Sequence, residues 1–202
     1  MSRQVKAVAH VDSSPFAKHI LPQLRASVKL LEVGCGNGRD AIYFSRAGHQ
    51  VTAVDVSPAA INLCREIYNA EQIRFVHGTA SALLAQDAES FDVIYSRFVV
   101  HAMTRPEEKE FLDAAARLLK PNGIMYVECR SINDPLSRQG EIISTTERLH
   151  GHYRRFIVSD EFKLGLAEAG FELIDEIESN GLAIFGDEDP VVIRVSARRK
   201  LP

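Results

Sequence analysis

Apolar and polar positions along the chain follow two alternating periodicities. Short apolar runs rich in β-branched residues predict strands buried on both faces, and apolar residues at helical spacing predict the helices between them. The first run, Lys29–Val33, ends at a group of glycines. Further strands are predicted at residues 50–56, 73–77, 91–96, 124–129, 171–179 and 191–198.

Helices are predicted between most of these strands, and their ends carry specific signals. Ser57 followed by Pro58 is typical of a helix start, and this helix is expected to continue to about residue 69. Lys-Pro-Asn-Gly at 120–123 predicts a turn after a helix at 107–119. The remaining helices are predicted at 40–47 and 160–169, each followed by a glycine that can end it.

Strands separated by helices of this length predict an α/β fold with a mainly parallel sheet. Only a loop separates the last two strands, which are therefore expected to pair antiparallel at one edge. A chain of 202 residues is the size of one domain, in which residues 1–27 would form an N-terminal cap. Residues 130–158 have little periodicity, and a loop of that length is typical of a functional lid. We expect a substrate-side segment there.

Composition and charge narrow the class of protein. Hydrophobic residues make up 46% of the chain and charged residues 25%, as in an ordinary globular domain. The 24 basic and 27 acidic residues leave a net charge of −3, which argues against a nucleic-acid coat or a polybasic membrane binder. No apolar run approaches the roughly 18 residues of a membrane span, and the N-terminus lacks the apolar core of a secretion signal. Three scattered cysteines predict reduced thiols in a cytoplasmic enzyme.

The most informative stretch is the glycine-rich sequence after the first strand. Gly34, Gly36 and Gly38 separate this strand from a helix, where they would permit a sharp turn and a close approach of the backbone to a ligand. Asp55 ends the second strand, where a carboxylate can accept both hydroxyls of a ribose. Residues 36–41 also fit the G-x-G-x-x-A fingerprint of a dinucleotide site, so NAD(P) is one candidate cofactor.

A second candidate follows from the acid within the strand end. The pattern E-x-G-x-G-x-G at 32–38 resembles motif I of the class I S-adenosylmethionine-dependent methyltransferases, and the resemblance continues through Asp55, 91–94 and 118–123 to cover residues 28–130. It implies a Rossmann-like, doubly wound sheet of seven strands, mainly parallel with an antiparallel C-terminal edge strand. It also implies S-adenosyl-L-methionine as cofactor and S-adenosyl-L-homocysteine as product.

The resemblance implies roles for individual residues. The three glycines would pack against the methionine part of the cofactor, and Glu32 would orient this loop or accept from the amino group. Asp55 would hold the ribose hydroxyls, with Val56 beneath the adenine. Thr79 stands where the family often has an acid facing the adenine amino group. The full set of implied cofactor residues is Glu32, Gly34, Gly36, Gly38, Asp55, Val56, Thr79, Ala80, Ser96 and Arg97.

Outside this shared core, six shorter segments resemble a narrower group of small bacterial methyltransferases, some of them encoded among genes for cell-surface polysaccharides. The tellurite-resistance methyltransferases are a more distant comparison. Neither resemblance names a substrate. The segments are 12–16, 95–101, 130–135, 151–156, 178–181 and 188–192.

Four arginines are expected on the acceptor side. Arg97 and Arg130 follow the ends of the fourth and fifth strands, where ligands bind in open α/β sheets, and Arg154 and Arg155 lie in the irregular segment. In a chain of net charge −3 they suggest an anionic acceptor, although Arg130, Arg154 and Arg155 could instead pair with nearby acids. We expect Arg130, Arg154 and Arg155 to bind the acceptor.

Two side chains are candidate general bases for an alcohol acceptor, His101 and, more weakly, Tyr153. A packing role for His101 is equally open. His150 and His152 form an H-x-H pair without an evident third ligand, so no metal site is predicted.

Three functions remain open on the sequence alone. The first is methyl transfer from S-adenosylmethionine, by in-line displacement, to a small anionic acceptor: a phosphate, carboxylate or hydroxyl oxygen of a sugar or glycan precursor. The second is an NAD(P)-dependent oxidoreductase, and the third is a non-catalytic S-adenosylmethionine-binding protein. No nucleic-acid partner is expected, and the chain would act as a monomer or a homodimer.

Overall fold

A computed structural model describes residues 12–68 and 71–201. The first eleven residues of the expected N-terminal cap, and residue 69 at the expected end of the second predicted helix, lie outside this part of the chain. The remainder of the cap holds a helix that was not predicted, α1 (Pro15–Ile20). Its start is stabilised by Ser14, whose hydroxyl oxygen accepts a hydrogen bond of 3.0 Å from the N–H of Ala17.

The described residues form ten strands, seven in a central sheet and three in a second, small sheet. The predicted strands all occur, and the prediction for Phe171–Ser179 matches the observed bounds. In chain order the strands are β1 (Lys29–Val33), β2 (Gln50–Asp55), β3 (Arg74–His77), β4 (Phe91–Arg97), β5 (Leu119–Arg130), β6 (Glu141–Ile142), β7 (Glu147–His150), β8 (His152–Arg155), β9 (Phe171–Ser179) and β10 (Val192–Arg199).

The central sheet has the order β3-β2-β1-β4-β5-β10-β9. The first five strands pair in parallel, and β10 pairs antiparallel with both β5 and β9. This confirms a mainly parallel sheet with an antiparallel pair at one edge. One detail differs: the C-terminal strand β10 is inserted between β5 and β9, so β9 is outermost.

Helices cover both faces of the sheet, as a doubly wound fold requires. One buried cluster joins Phe16 of α1 and Phe44 of the next helix to the sheet, and the other buries Phe111 and Phe162 on the opposite face. Residues 80–87 form a short helical segment that was not predicted. The remaining helices are α2 (Arg39–Arg46), α3 (Pro58–Ile67), α4 (Leu84–Asp87), α5 (Arg105–Leu118) and α6 (Ser159–Glu168). No helix in the described ranges is both long and apolar enough to cross a bilayer.

The predicted turn at 120–123 lies inside β5. Phe91 of β4 pairs with Leu119, and Val93 pairs with Ile124, so the four intervening residues loop out of the ladder. Asn122 adopts a φ of 64°, a left-handed conformation that asparagine tolerates better than most residues. The turn signal was therefore correct, but it marks an interruption at the start of the strand.

The segment 130–158, expected to be irregular, is ordered. A short 3₁₀ helix at Pro135–Arg138 is followed by β6, β7 and β8, which form an antiparallel meander. Strands of two to four mostly polar residues carry no clear hydrophobic alternation, which is why the sequence did not predict them.

A buried ion pair attaches this meander to the body of the protein. The side chain of Arg155 is 3% exposed; its Nη2 donates to Glu108 of α5, and its Nε donates to the carbonyl oxygen of Met103 at 3.0 Å. Arg155 was expected to bind the acceptor. That expectation is wrong for this geometry, because the guanidinium is enclosed and already neutralised.

Replacing Arg155 with alanine should destabilise the fold and leave Glu108 as an unpaired buried charge. We expect a loss of about 3–5 kcal/mol in the free energy of unfolding, measured by urea denaturation. Arg105→Ala is the matched control, since its pair with Glu161 is half exposed and should contribute at most about 1 kcal/mol. Equal losses in the two variants would contradict a structural role for Arg155.

Candidate functional site

A cavity of about 350 Å³ opens at the carboxyl ends of β1, β2 and β4. In an open α/β sheet this edge is where ligands bind, at the point where the strand order reverses. The start of α5 and the turn after β3 complete its walls. Six of the residues expected to bind a cofactor line it: Gly34, Asp55, Val56, Thr79, Ala80 and Arg97.

The glycine loop between β1 and α2 has one crowded glycine and one open one. Gly34 has a φ of 75°, and a Cβ atom there would lie 2.1 Å from Cγ2 of Val99. Gly36 has a φ of 52°, but a Cβ there would meet no atom within 4 Å. Gly34 is therefore required by packing, whereas the open space at Gly36 lets a ligand approach the backbone. Gly38, the third glycine of the motif, is the residue that precedes α2.

Asp55 joins this loop to the end of β2. Its Oδ2 accepts from the N–H of Gly36 at 2.8 Å, and its Oδ1 accepts from the N–H of Ser57 at 2.8 Å. Each carboxylate oxygen has capacity for a further hydrogen bond, which is what a pair of vicinal hydroxyls needs. Val56, the next residue, also lines the cavity and is 68% exposed, so an exposed apolar side chain lies beside the carboxylate.

Two buried polar atoms at the neighbouring ends of β1 and β4 have no hydrogen-bond partner in the described part of the chain: Oε2 of Glu32 and Oγ of Ser96. Glu32 is 4% exposed, and burial together with Asp40 raises the pKa of its carboxyl well above the usual value. An unsatisfied buried polar group costs about 1–3 kcal/mol, and each calls for an explanation. Neither side chain lines the cavity, although both directly precede residues of its wall.

A buried network beneath the loop was not expected from the sequence. Asp40 in the first turn of α2 accepts from the N–H of Ser14 at 2.7 Å and from the hydroxyl of Tyr95 at 2.8 Å. These bonds tie α1, α2 and β4 together under the glycine loop. The Ser-Pro pair at 14–15 was the available signal for this contact, because it marks the start of α1.

The arginines of the acceptor side are mostly paired. Arg97 donates through Nε to Glu128 at 2.8 Å, and its guanidinium carbon lies 4.1 Å from the ring centroid of Phe98. Arg130 donates to Asp134 at 3.0 Å and to Glu188 at 2.9 Å. Only Arg154, of the four arginines expected here, forms no ion pair with the residues described.

His101 is buried in a short helical turn after β4. Its Nδ1 accepts from the N–H of Arg130 at 3.2 Å, and burial, followed by the charges of Arg130, Arg154, His152 and Arg97, lowers its pKa to about 3. The ring is therefore neutral near pH 7, with its proton on Nε2. In this arrangement it can donate a hydrogen bond, and to act as a base it would have to give up the bond from Arg130.

Tyr153 does not meet the cavity. Its hydroxyl donates to Oε1 of Glu147 at 2.6 Å within the β7–β8 hairpin, and burial together with that carboxylate raises its pKa to about 12. A phenol with this pKa holds its proton at neutral pH, and its hydroxyl donates to Glu147 away from the cavity. Tyr153 is therefore not positioned to act as a base there.

Sequence comparison shows that residues 31–127 match a family described as a methyltransferase domain. Residues 31–127 are a methyltransferase domain. The sheet order and the paired glycine loop and Asp55 described above agree with this match, and the predicted family resemblance is confirmed.

A mycobacterial relative matches about half of the chain. A phthiotriol/phenolphthiotriol dimycocerosates methyltransferase from Mycobacterium leprae is 37% identical over 108 residues, which are 52% of this chain and 39% of that protein. The chain thus spans well under half of that relative's length.

Two solved structures establish the fold over nearly the whole chain. An S-adenosylmethionine-dependent methyltransferase from Methanosarcina mazei gives a TM-score of 0.81 with 18% identity, covering 95% of this chain and all of that one. The 1,6-didemethyltoxoflavin-N1-methyltransferase of Burkholderia thailandensis, crystallised with 1,6-didemethyltoxoflavin and S-adenosylhomocysteine, gives 0.71 with 22% identity, covering 93% and 77%. At these identities the likeness concerns the fold alone.

Alanine substitutions at the two glycines of the methyltransferase loop should have different effects. Gly36→Ala should keep the fold, apart from about 1–2 kcal/mol of left-handed strain, but weaken binding of S-adenosylhomocysteine. Gly34→Ala should unfold more readily because its methyl group meets Val99, and Val99→Ala should restore part of that stability. Thermal unfolding and calorimetric titration measure both effects. Unchanged cofactor affinity in Gly36→Ala would contradict the assigned approach of the ligand.

The stability of the methyltransferase fold should depend on the neutral form of His101. The unfolded chain protonates this imidazole near pH 6.5 and the folded chain near pH 3, so the free energy of unfolding falls as the pH decreases below about 6.5. The slope contributed is at most ~1.4 kcal/mol per pH unit. His101→Gln should remove this contribution in urea denaturation between about pH 7 and 5, whereas His19→Gln, at an exposed site, should not. If the free energy of unfolding depends on pH identically in all three proteins, the neutral state assigned to folded His101 is refuted.

Proposed function

We propose that this protein transfers a methyl group from S-adenosylmethionine to a small acceptor molecule and releases S-adenosylhomocysteine. The observation that carries the proposal is the pairing of Asp55 with the N–H of Gly36 at one side of the cavity, inside a methyltransferase domain. A carboxylate for ribose hydroxyls and an open glycine backbone for the methionine part thereby lie next to each other.

The residues present fit this cofactor. We infer that the ammonium group of its methionine part binds at the end of β1 near the unpartnered oxygen of Glu32, where its positive charge would offset the burial that raises the pKa of this carboxyl. We infer that Ser96 and Arg97 border the same part, and that the exposed side chain of Val56 packs beneath the adenine. Thr79 and Ala80 line the opposite wall near the adenine.

The cofactor, when bound, supplies an electrophilic methyl group on a sulfonium, so the protein needs to position the acceptor atom in line and exclude water. Phe98, Ala102 and Met103 form the apolar wall at the acceptor end of the cavity. We propose that His101 contributes there as a neutral hydrogen-bond donor through Nε2. An acceptor oxygen that is already anionic needs no general base, which agrees with the protonated state of Tyr153.

The acceptor class is inferred from charge. Similar proteins are named for acceptors as different as phthiotriol dimycocerosates and 1,6-didemethyltoxoflavin, so their names do not select one. The acceptor side of this chain carries Arg154 without a carboxylate partner, and we propose a small anionic acceptor such as a phosphorylated or carboxylated sugar or glycan precursor.

Asp55→Ala should weaken binding of S-adenosylmethionine and S-adenosylhomocysteine by about 10–100-fold, since hydrogen bonds to a charged group contribute about 1.5–3 kcal/mol. Isothermal titration calorimetry measures this, with NAD as a third ligand. Asp87→Ala is the control, because Asp87 pairs with Arg74 at the amino ends of the strands. Binding of NAD alone, or equal affinities in wild type and Asp55→Ala, would reject the proposed cofactor site.

A further inference from the structure

The hairpin of β7 and β8 has two chemically different faces. Residues directly opposite each other share a face, and the pairs alternate between the two sides. Glu147, Leu149, Tyr153 and Arg155 occupy one side, on which Arg155 is bonded to α5. The other side, here called the cationic face, carries Arg148 opposite Arg154 and His150 opposite His152.

Nothing on the hairpin compensates the charge of the cationic face. Arg148 donates to the carbonyl oxygens of Ser144 and Glu147, and Arg154 donates to the carbonyl oxygen of His150 at 3.2 Å. These contacts satisfy donors but leave both positive charges unbalanced. Like charges directly opposite on neighbouring strands destabilise a sheet, so the arrangement has a cost in the free protein.

The cationic face lies beside the acceptor end of the cavity. Strand β8 packs against the helical turn that carries His101, and the charges of Arg154 and His152 both lower the pKa of His101. Arg130 lies between this face and the cavity, with its guanidinium carbon 5.5 Å from the ring centroid of the cavity residue Phe98. The nearby carboxylates, Asp134 and Glu188, are both bonded to Arg130.

We propose that the cationic face, formed by Arg148, His150, His152 and Arg154, binds a phosphate group of the acceptor substrate. This inference rests on the proposed function and deepens it, because it assigns acceptor binding to the cationic face and not to the enclosed Arg155. Phosphate fits better than carboxylate, since guanidinium groups bond phosphate oxygens well and a dianion balances both arginines. The bound phosphate would hold the acceptor beside the cavity and remain chemically unchanged.

The test is calorimetric titration of inorganic diphosphate into the full chain saturated with S-adenosylhomocysteine. The double variant Arg148→Gln/Arg154→Gln should bind diphosphate at least about tenfold more weakly than wild type, because charge-assisted hydrogen bonds are lost. Arg25→Gln/Arg117→Gln is the matched control: it also removes two positive charges, from exposed residues that precede β1 and lie in the last turn of α5. Its affinity for diphosphate should equal that of wild type.

Thermal unfolding of the same variants separates binding from structure. Diphosphate should raise the melting temperature of wild type and of the control but not of the double variant, because a ligand stabilises only the folded protein that binds it. A purely structural role of the two arginines would leave the diphosphate-induced shift equal in all three proteins. Two further arms identify the source of the phosphate. Competition by glycerol 3-phosphate supports a soluble phosphoester, and sedimentation with phosphatidylcholine vesicles containing phosphatidic acid supports a lipid phosphate.

The two proposals fail in different ways. Diphosphate binding that is absent from wild type, or equally strong in the double variant, overturns the phosphate site even where S-adenosylhomocysteine binds normally. If wild type does not bind S-adenosylhomocysteine, the cofactor proposal is overturned. The anion site is still supported in that case if wild type binds diphosphate and the double variant binds it more weakly.

Discussion

The hydrogen bond between the N–H of Gly36 and the carboxylate of Asp55 holds the site in place. Strand β1 pairs with β2 on one side and with β4 on the other. The order of the strands therefore reverses beside β1, and the glycine loop follows the carboxyl end of this strand. The bond fixes the glycine loop against the end of β2 and pre-organises a carboxylate beside an open backbone. The N–H groups of Gly34 and Cys35 also donate to the carbonyl oxygen of Val54, at 2.8 and 3.1 Å, and hold the start of the loop against β2.

Charge divides the acceptor side into two groups of arginines with different consequences. Arg97, Arg130 and Arg155 are neutralised by carboxylates and hold the architecture, with Arg155 fastening the meander to α5. Arg148 and Arg154 are unbalanced and face one another. A paired arginine has little attraction left for a ligand, whereas an unbalanced pair in a partly enclosed position has much, which is why the proposed anion site is assigned to the second group.

Sequence patterns were sufficient for the elements whose cause is local. The strand Phe171–Ser179, the helix start at Ser57 and Pro58, and the glycine loop all follow from neighbouring residues. The same patterns could not predict contacts between residues that are far apart in the sequence. Arg155 was predicted to bind an acceptor because its partner, Glu108, lies 47 residues earlier and meets it only in the folded chain. The cationic face was missed for the same reason, since Arg148 and Arg154 become neighbours only when β7 and β8 pair.

The free protein carries uncompensated costs at both ends of the site. At the cofactor end, Glu32 and Ser96 are buried with unpartnered oxygens. At the acceptor end, Arg148 and Arg154 lie opposite each other in the hairpin, and neither forms an ion pair with the described residues. Phe98 lies between the two ends with a φ of 59°, a left-handed conformation that a bulky residue adopts only when its surroundings enforce it. A ligand that removes a cost present only in the folded state stabilises that state by the free energy of its binding. These destabilising features therefore lie where ligands are proposed to bind, as expected when a site is built for a partner and not for maximal stability.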